Sequence, residues 1–333
     1  MVGGGAIQSE ASESVVKMAE FLQAPVITTG GGKGIISDKH PLSLGVPHWR
    51  KDPLDAALRS TDLVLAIGTK QKAIDGKQNA WTVVNNSAYI VNINVDPDLI
   101  ASFSNNGMGL EGDAKLTLDN LYSELSNISK QTVSRTTEYQ AIKTKRFDPS
   151  KYVQPQGSYV QAIRSAMPDD GVVVQGVTQV GYYSEIFFPV YEPRTYVTSS
   201  YFGNLGYAYP TALGVKVGYP DRSVVAISGD GGFLYNSQEL ATAVKYGINV
   251  VVIVFNDNAY GNVKREQLTL FNGRNIGVNL HNPDFVKLAE SYGALGFRAN
   301  GPEELEKTLD KALSINAPSL IEVPVEMMPN IFY

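Results

Sequence analysis

An α/β fold made of two doubly wound, mainly parallel-sheet domains is the class this sequence predicts, on three observations. Strand and helix signals alternate along most of the chain, the order that gives parallel sheets covered by helices on both faces. Three strand candidates of the second half, GVVVQG, SVVAIS and NVVVIVF, are almost wholly apolar with no polar alternation, as strands buried on both faces are. The length, 333 residues, corresponds to about two domains.

The first domain is expected over 1–126, Rossmann-like in pattern. Gly3–Gly5 leads into a helical pattern over Ser12–Leu22, with Val15, Val16, Ala19 and Leu22 at helical spacing. Strand candidates follow at Val26–Thr29, Leu63–Ile67 and Tyr89–Asn94, closed by Gly30, Gly68 and Asp96-Pro97. A short helix is expected around Asp55–Leu58 and a last one over Leu116–Leu125. Only Met1 and Val2 precede the Gly-rich turn. Either they form a short edge strand, or the sequence begins inside a longer protein.

Residues 127–156 are rich in Ser, Thr, Lys and Pro and lose the periodicity. They read as a linker with one helical turn around Glu138–Lys145, and the cluster Lys143, Lys145, Arg146 and Lys151 as a solvated face. The second domain is expected over 157–333. It opens with an amphipathic helix, SYVQAIRSAM, and a strand, GVVVQG. A helix, TALGVKVGY, comes before the strand-helix-strand unit of Ser223–Phe255. Two helices, PDFVKLAESYGA and PEELEKTLDKALS, and a strand, SLIEVPV, complete it.

Composition excludes several classes. The formal net charge of −5 gives no basic field for nucleic acid or an anionic membrane. No apolar run approaches the ~20 residues of a membrane helix. There is no Cys, so disulfides, thiolate metal sites and Cys nucleophiles are out, in keeping with a cytoplasmic protein.

The chemistry concentrates in SVVAISGDGGFLYNSQELATAVKYGINVVVIVFNDNAYGNV. Two apolar strands flank one helix, capped by Asn236 or Ser237 and ended by Gly247. A right-handed crossover makes the strands parallel and, if neighbours, about 4.8 Å apart. Their C-terminal ends then lie side by side, where open α/β sheets bind ligands. Asp230 follows the first strand after one glycine, and Asn256, Asp257 and Asn258 follow the second. Two carboxylates that close disfavour each other's charge unless a cation lies between them. A hard divalent ion with oxygen ligands at about 2.1 Å satisfies both. Gly229, Gly231 and Gly232 let backbone amides approach an anion. The reading is a Mg2+-bridged phosphate site.

Gly229-Asp230-Gly231, followed after residues 232–255 by Asn256-Asp257, resembles the thiamine diphosphate motif. Leu213-Gly214, Pro220, Val225 and Ile227 stand at that family's signature spacing before it. The resemblance covers essentially the whole chain and is to the central and diphosphate-binding domains of acetolactate synthase-like enzymes and related 2-oxo acid decarboxylases. It implies Asp230, Asp257 and the Ala259 carbonyl as Mg2+ ligands, and the amides of Gly231, Gly232 and Phe233 as diphosphate contacts. GNLGYAYP (Gly203–Pro210) resembles the segment that holds the cofactor bent, with Leu205 as the apolar wedge and the Gly203 carbonyl as acceptor of the 4′-amino group. Tyr201, Tyr260 and Gln179 are candidate liners. The implied reaction is decarboxylation of a 2-oxo acid such as pyruvate and carboligation of the resulting enamine, or simple decarboxylation.

The sequence also departs from the family. Asp257 stands where Asn is commonest, adding a negative charge that calls for a cation, the metal or Lys264 or Arg265. GTKQKAID (Gly68–Asp75) lacks the Arg of the flavin segment, and Gly45–His48 departs from the usual flavin loop, which argues against FAD. QGVTQVG (Gln175–Gly181) lacks the family's His-Gln pair and NVKREQ (Asn262–Gln267) its gating Trp, so the substrate stays open. No His-Glu segment supplies the glutamate that activates the cofactor, so no catalytic residue is assigned in this chain. That activity is expected from a missing pyrimidine-binding domain or a separate pyrimidine-binding subunit, within a homodimer or tetramer. The alternatives are a catalytically silent cofactor-binding or assembly module, and a flavin or NAD oxidoreductase; for the latter the GGG runs lack the GxGxxG pattern.

Overall fold

The computed structural model describes residues 1–47, 52–70, 87–101, 106–199 and 202–331. The chain divides into two compact units. One holds residues 1–148 with Val190–Arg194, the other Pro149–Pro189 with 195–331. Every named strand pairing in both is parallel. The α/β, doubly wound class expected from the alternating signals is what folds.

The first unit contains β1 (Val26–Ile27), β2 (Ser43–Gly45), β3 (Leu63–Ile67), β4 (Tyr89–Asn94) and β5 (Gly107–Glu111). β1 pairs with β2, and β3, β4 and β5 form a second group in that order. Val2 makes parallel bridges to both Thr28 and Ile67. It therefore lies between β1 and β3 and not at an edge, which corrects the edge-strand alternative. The helix over Ser12–Leu22 forms over the expected residues and buries Val15, Met18 and Ala19. The last helix of the expected first domain runs Ala114–Ile128, longer than its apolar pattern, because Asp113 caps it by accepting from the Leu116 amide.

The polar stretch after it is more ordered than its composition suggests. Thr136–Arg146 is an 11-residue helix, and Tyr139 belongs to the buried core of the unit. The solvated-face reading holds for the exposed Lys145 and Lys151 and fails for the other two cations. Lys143 donates to the carbonyls of Asp38 and His40. Arg146, 5% exposed, pairs with the buried Asp52 at 2.8 Å and also donates to the Leu44 and Val46 carbonyls. Charges are buried only when paired and hydrogen-bonded, and sequence spacing cannot show a partner 94 residues away.

The second unit is a six-stranded parallel sheet built from β6 (Val172–Gln175), β7 (Tyr196–Thr198), β8 (Val224–Gly229), β9 (Val251–Asn256), β10 (Leu295–Arg298) and β11 (Ser319–Pro324). The strand order is β10-β11-β9-β8-β6-β7. β6 and β9 are buried along their whole length, and β8 and β11 everywhere but at their last residue. Their mostly apolar sequences follow from having no solvent face, and the buried Glu322 in the middle of β11 is the charged exception. Ala208, Tyr209, Ala212 and Leu213 of one helix, Leu240 and Ala243 of a second, and Phe285 and Ala289 of a third pack on Val172, Val174, Ala226, Val252 and Val254. Tyr159 meets Phe255 edge-on at 5.1 Å.

The helix between β8 and β9 runs Glu239–Tyr246 and ends at Gly247 in the left-handed conformation, as expected, but no side chain caps its start. Asn236 instead donates its amide to the Gly206 carbonyl, tying the helix entry to the glycine-rich segment before it.

Arg146→Ala leaves the buried Asp52 charge without its partner and is expected to destabilise the fold by about 3–5 kcal/mol. Arg135→Ala, which breaks the exposed pair with Glu138, is expected to cost under about 1 kcal/mol. Urea unfolding of both variants against wild type measures the difference.

Candidate cofactor and metal site

β8 and β9 are hydrogen-bonded neighbours with Gly229 opposite Phe255. Asp230 therefore begins one residue past the end of β8, beside Asn256, with Asp257 directly after. This is the C-terminal edge of the parallel sheet. Asp230–Leu234 is a short helix. Two of the glycines beside the carboxylates, Gly231 and Gly261, are required by close contact. A Cβ on Gly231 would stand 2.5 Å from Tyr260 Cε1, and one on Gly261 would fall on Asp257 Oδ2.

A cavity of about 270 Å3 opens here. Of the residues singled out from sequence, Gly203, Leu205, Gly229, Asp230, Gly231, Gly232, Asp257, Ala259, Tyr260 and Gln179 line it. Phe233 does not. Its ring is buried against Tyr209 and Phe285 at 5.5 and 6.0 Å, so only its backbone can face a ligand. Tyr201, His48 and residues 71–75 of the flavin-segment comparison lie outside the described residues.

The Asp230 carboxylate is held by the Asn282 side chain and by the backbone amides of Gly231, Ala259 and Asn258. Oδ1 accepts from the Gly231 amide at 2.8 Å and Oδ2 from Asn282 Nδ2 at 2.7 Å. Burial raises its carboxyl above the ordinary carboxylate value in spite of these bonds. Asp257 accepts from the Ala259 amide at 3.2 Å. Burial, then the charge of Asp230, push Asp257 up to about 6. The nearby charge of Lys264 pulls the other way, but its ammonium also donates to Asn279. The wall therefore carries two mutually opposed carboxylates without full neutralisation. Two anionic oxygens plus a backbone carbonyl within reach are a donor set for a hard divalent cation, and the residues present fit one.

Asn258, at φ 53°, turns the chain after β9. Ala259 then bridges antiparallel to Asn279, with Tyr260 donating to the Val278 carbonyl and Leu280 to that of Asn258. This bridge brings the 278–282 segment to the site, and Asn282 with it. Neither Asn282 nor Asn262 stood out in the sequence. Asn262 lines the cavity, and its Oδ1 accepts from Gln179 and from Arg265. Arg265 is thus engaged with Asn262 and the Met328 carbonyl, and of the two cations expected to offset Asp257 it is Lys264 whose charge acts on it.

The described residues contain no helix long and apolar enough to cross a membrane. Two family profiles match the chain: "Thiamine pyrophosphate enzyme, central domain" over residues 1–121, and "Thiamine pyrophosphate enzyme, C-terminal TPP binding domain" over residues 176–323. The chain is 32% identical to a probable acetolactate synthase large subunit of Methanococcus aeolicus, over 98% of this chain and 57% of that protein. It is 32% identical to the acetolactate synthase large subunit of Haemophilus influenzae, over 99% of this chain and 59% of the relative. A probable 2-ketoarginine decarboxylase of Pseudomonas aeruginosa is 29% identical over 97% of this chain and 57% of its own length. The chain thus spans less than three-fifths of the length of these curated relatives. With both profiles in sequence order and the GDG…ND pair at adjacent strand ends, the chain belongs to the thiamine pyrophosphate enzyme family and is acetolactate synthase-like within it.

Proposed function

We propose that this chain forms the metal- and diphosphate-binding part of a thiamine diphosphate- and Mg2+-dependent, acetolactate synthase-like enzyme. The enzyme decarboxylates a 2-oxo acid such as pyruvate and joins the remaining acyl fragment to a carbonyl acceptor. The observation that carries this reading is the pair Asp230 and Asp257, half-neutralised at one cavity wall, in a chain matching the family's cofactor-binding domain.

On this reading Asp230, Asp257 and the Ala259 carbonyl hold Mg2+. The amides of Gly231, Gly232 and Phe233 face the diphosphate, and Gly229 keeps the strand end clear of it. Leu205 supports the rings from the apolar side, the Gly203 carbonyl accepts from the aminopyrimidine, and Tyr260 closes the wall beside Gly231. When bound, thiamine diphosphate supplies the electron sink for breaking the bond to CO2. Val177, Leu205, Val325 and Met328 give the cavity wall an apolar side. Among the described residues the acids lining the cavity are Asp230 and Asp257, both given to the metal. On this reading the carboxylate that activates the cofactor comes from a pyrimidine-binding domain or subunit, within a homodimer or tetramer.

Asp230→Ala is expected to abolish Mg2+-dependent binding of thiamine diphosphate while leaving the circular dichroism spectrum unchanged. Calorimetric titration tests this, and unchanged affinity would displace the metal site. Asp257 makes a second test. Its folded pKa, about 6, stands above the ordinary 3.8. Between those values the folded chain keeps a proton that the unfolded chain has released, so stability of the metal-free protein falls as pH rises through that window. Asp257→Asn is expected to reduce that fall, leaving the part that the raised Asp230 carboxyl contributes, and to retain metal binding, because the amide oxygen remains a ligand. Urea midpoints at about pH 4 and about pH 7, without and with Mg2+ and cofactor, measure both.

A further inference from the structure

Asn282 sits at the end of a chain of side-chain hydrogen bonds whose directions are fixed from the outside in. The chain starts at Arg298, 45% exposed, which donates through Nε and Nη2 to Glu322 Oε2 at 3.0 and 2.8 Å. The other oxygen of this buried carboxylate, Oε1, accepts from Asn256 Nδ2 at 2.8 Å. An ionised carboxylate only accepts, so the Asn256 amide must turn its nitrogen to Glu322 and its oxygen away. That oxygen accepts from Asn282 Nδ2 at 2.8 Å and from the Asn258 amide at 3.2 Å. The same Asn282 nitrogen donates to Asp230 Oδ2 at 2.7 Å. Both protons of one amide are thus spent on two acceptors of the metal-site wall. Among the described residues the buried amide oxygen of Asn282 has no hydrogen-bond partner, so the residue's side-chain bonds are both donations.

We propose that Asn282 is the positioning residue of the metal site. It fixes the rotation of the Asp230 carboxylate through Oδ2 and, through Asn256, the strand end from which Asp257 departs. The Asn256–Glu322–Arg298 relay sets which way its amide points. The inference rests on the reading of Asp230 and Asp257 as metal ligands. Three features support it together. The donor arrives from a segment tied on by the Ala259–Asn279 bridge, not from the neighbouring turn. It reaches the one Asp230 oxygen that the Gly231 amide does not hold. It is neutral, so it orients the carboxylate without competing with the cation for charge. Partners that orient metal ligands are commonly worth 10–100-fold in metal affinity.

The test is Mn2+ binding, read by electron paramagnetic resonance of free Mn2+, with thiamine diphosphate at saturation and the full 333-residue chain. Asn282→Leu keeps similar volume and removes the donor. Its Mn2+ affinity is expected to fall at least about tenfold, with the metal-free circular dichroism unchanged. Glu322→Gln touches neither Asp230 nor Asp257 but lets the Asn256 amide turn over, and is expected to weaken Mn2+ in the same direction by a smaller factor. Wild-type affinity in Asn282→Leu overturns the proposal, since a space-filling role predicts that result. If Asn282→Leu does not fold, Asn282→Ser, whose hydroxyl is too short to reach both acceptors, decides by the same criterion. A wild-type chain that binds no Mn2+ removes the metal reading itself. An unchanged variant on a wild type that binds removes only the role of Asn282.

Discussion

The parallel pairing of β8 with β9 is the constraint on which the rest of the site depends. Its register, Gly229 opposite Phe255, delivers Asp230 and Asp257 to one edge from positions 27 residues apart in the chain. Without a cation that arrangement is unfavourable: burial raises both carboxyls, and the charge of Asp230 pushes Asp257 further up. The strands themselves are held by buried apolar packing on both faces, which is large enough to carry the electrostatic cost. The fold thus supplies the stability, and the site draws on it.

The surroundings offset the two charges with dipoles more than with cations. The Gly231 amide, the Ala259 amide and the Asn282 side chain all point at Asp230 or Asp257. Oriented neutral donors stabilise a carboxylate while leaving its charge available to a metal, whereas an ion pair would consume it. The full charges stand further out. Lys264 leans toward Asn279, and Arg298 neutralises Glu322 two hydrogen-bonded residues away from Asp230. An Asp at 257 where the family commonly has Asn fits this division. It raises the negative charge at the centre and leaves the periphery to balance it.

Much of this was legible in the residues. The short, Val- and Ile-rich apolar runs around Val225 and Val252 predict strands buried on both faces, and the GDG…ND spacing places acids at both strand ends. What was not legible depends on long-range contact. Asn282 lies 26 residues beyond Asn256, in a polar stretch with no periodicity, and reaches the site only through a single antiparallel bridge. Arg146 looked like a surface charge because its partner Asp52 is remote. Asn236 looked like a helix cap, but its Nδ2 donates to the Gly206 carbonyl and its Oδ1 accepts from the Gln238 side chain, not from a backbone amide of the first turn. Phe233 was read for its backbone, and its side chain proved to be core. In each case a polar group or ring was drawn away from its local role by a partner that sequence spacing does not reveal.

The central claim is that the strand ends hold two carboxylates that oppose each other's ionisation and call for a divalent cation. Carbon-13 NMR of aspartate carboxyls, followed against pH in the metal-free chain, tests it most directly. The account predicts one aspartate titrating at about pH 6, absent from Asp257→Asn and shifted down once Mg2+ and thiamine diphosphate are added. Aspartates that all titrate near the ordinary carboxylate value, with no response to Mg2+, would contradict it.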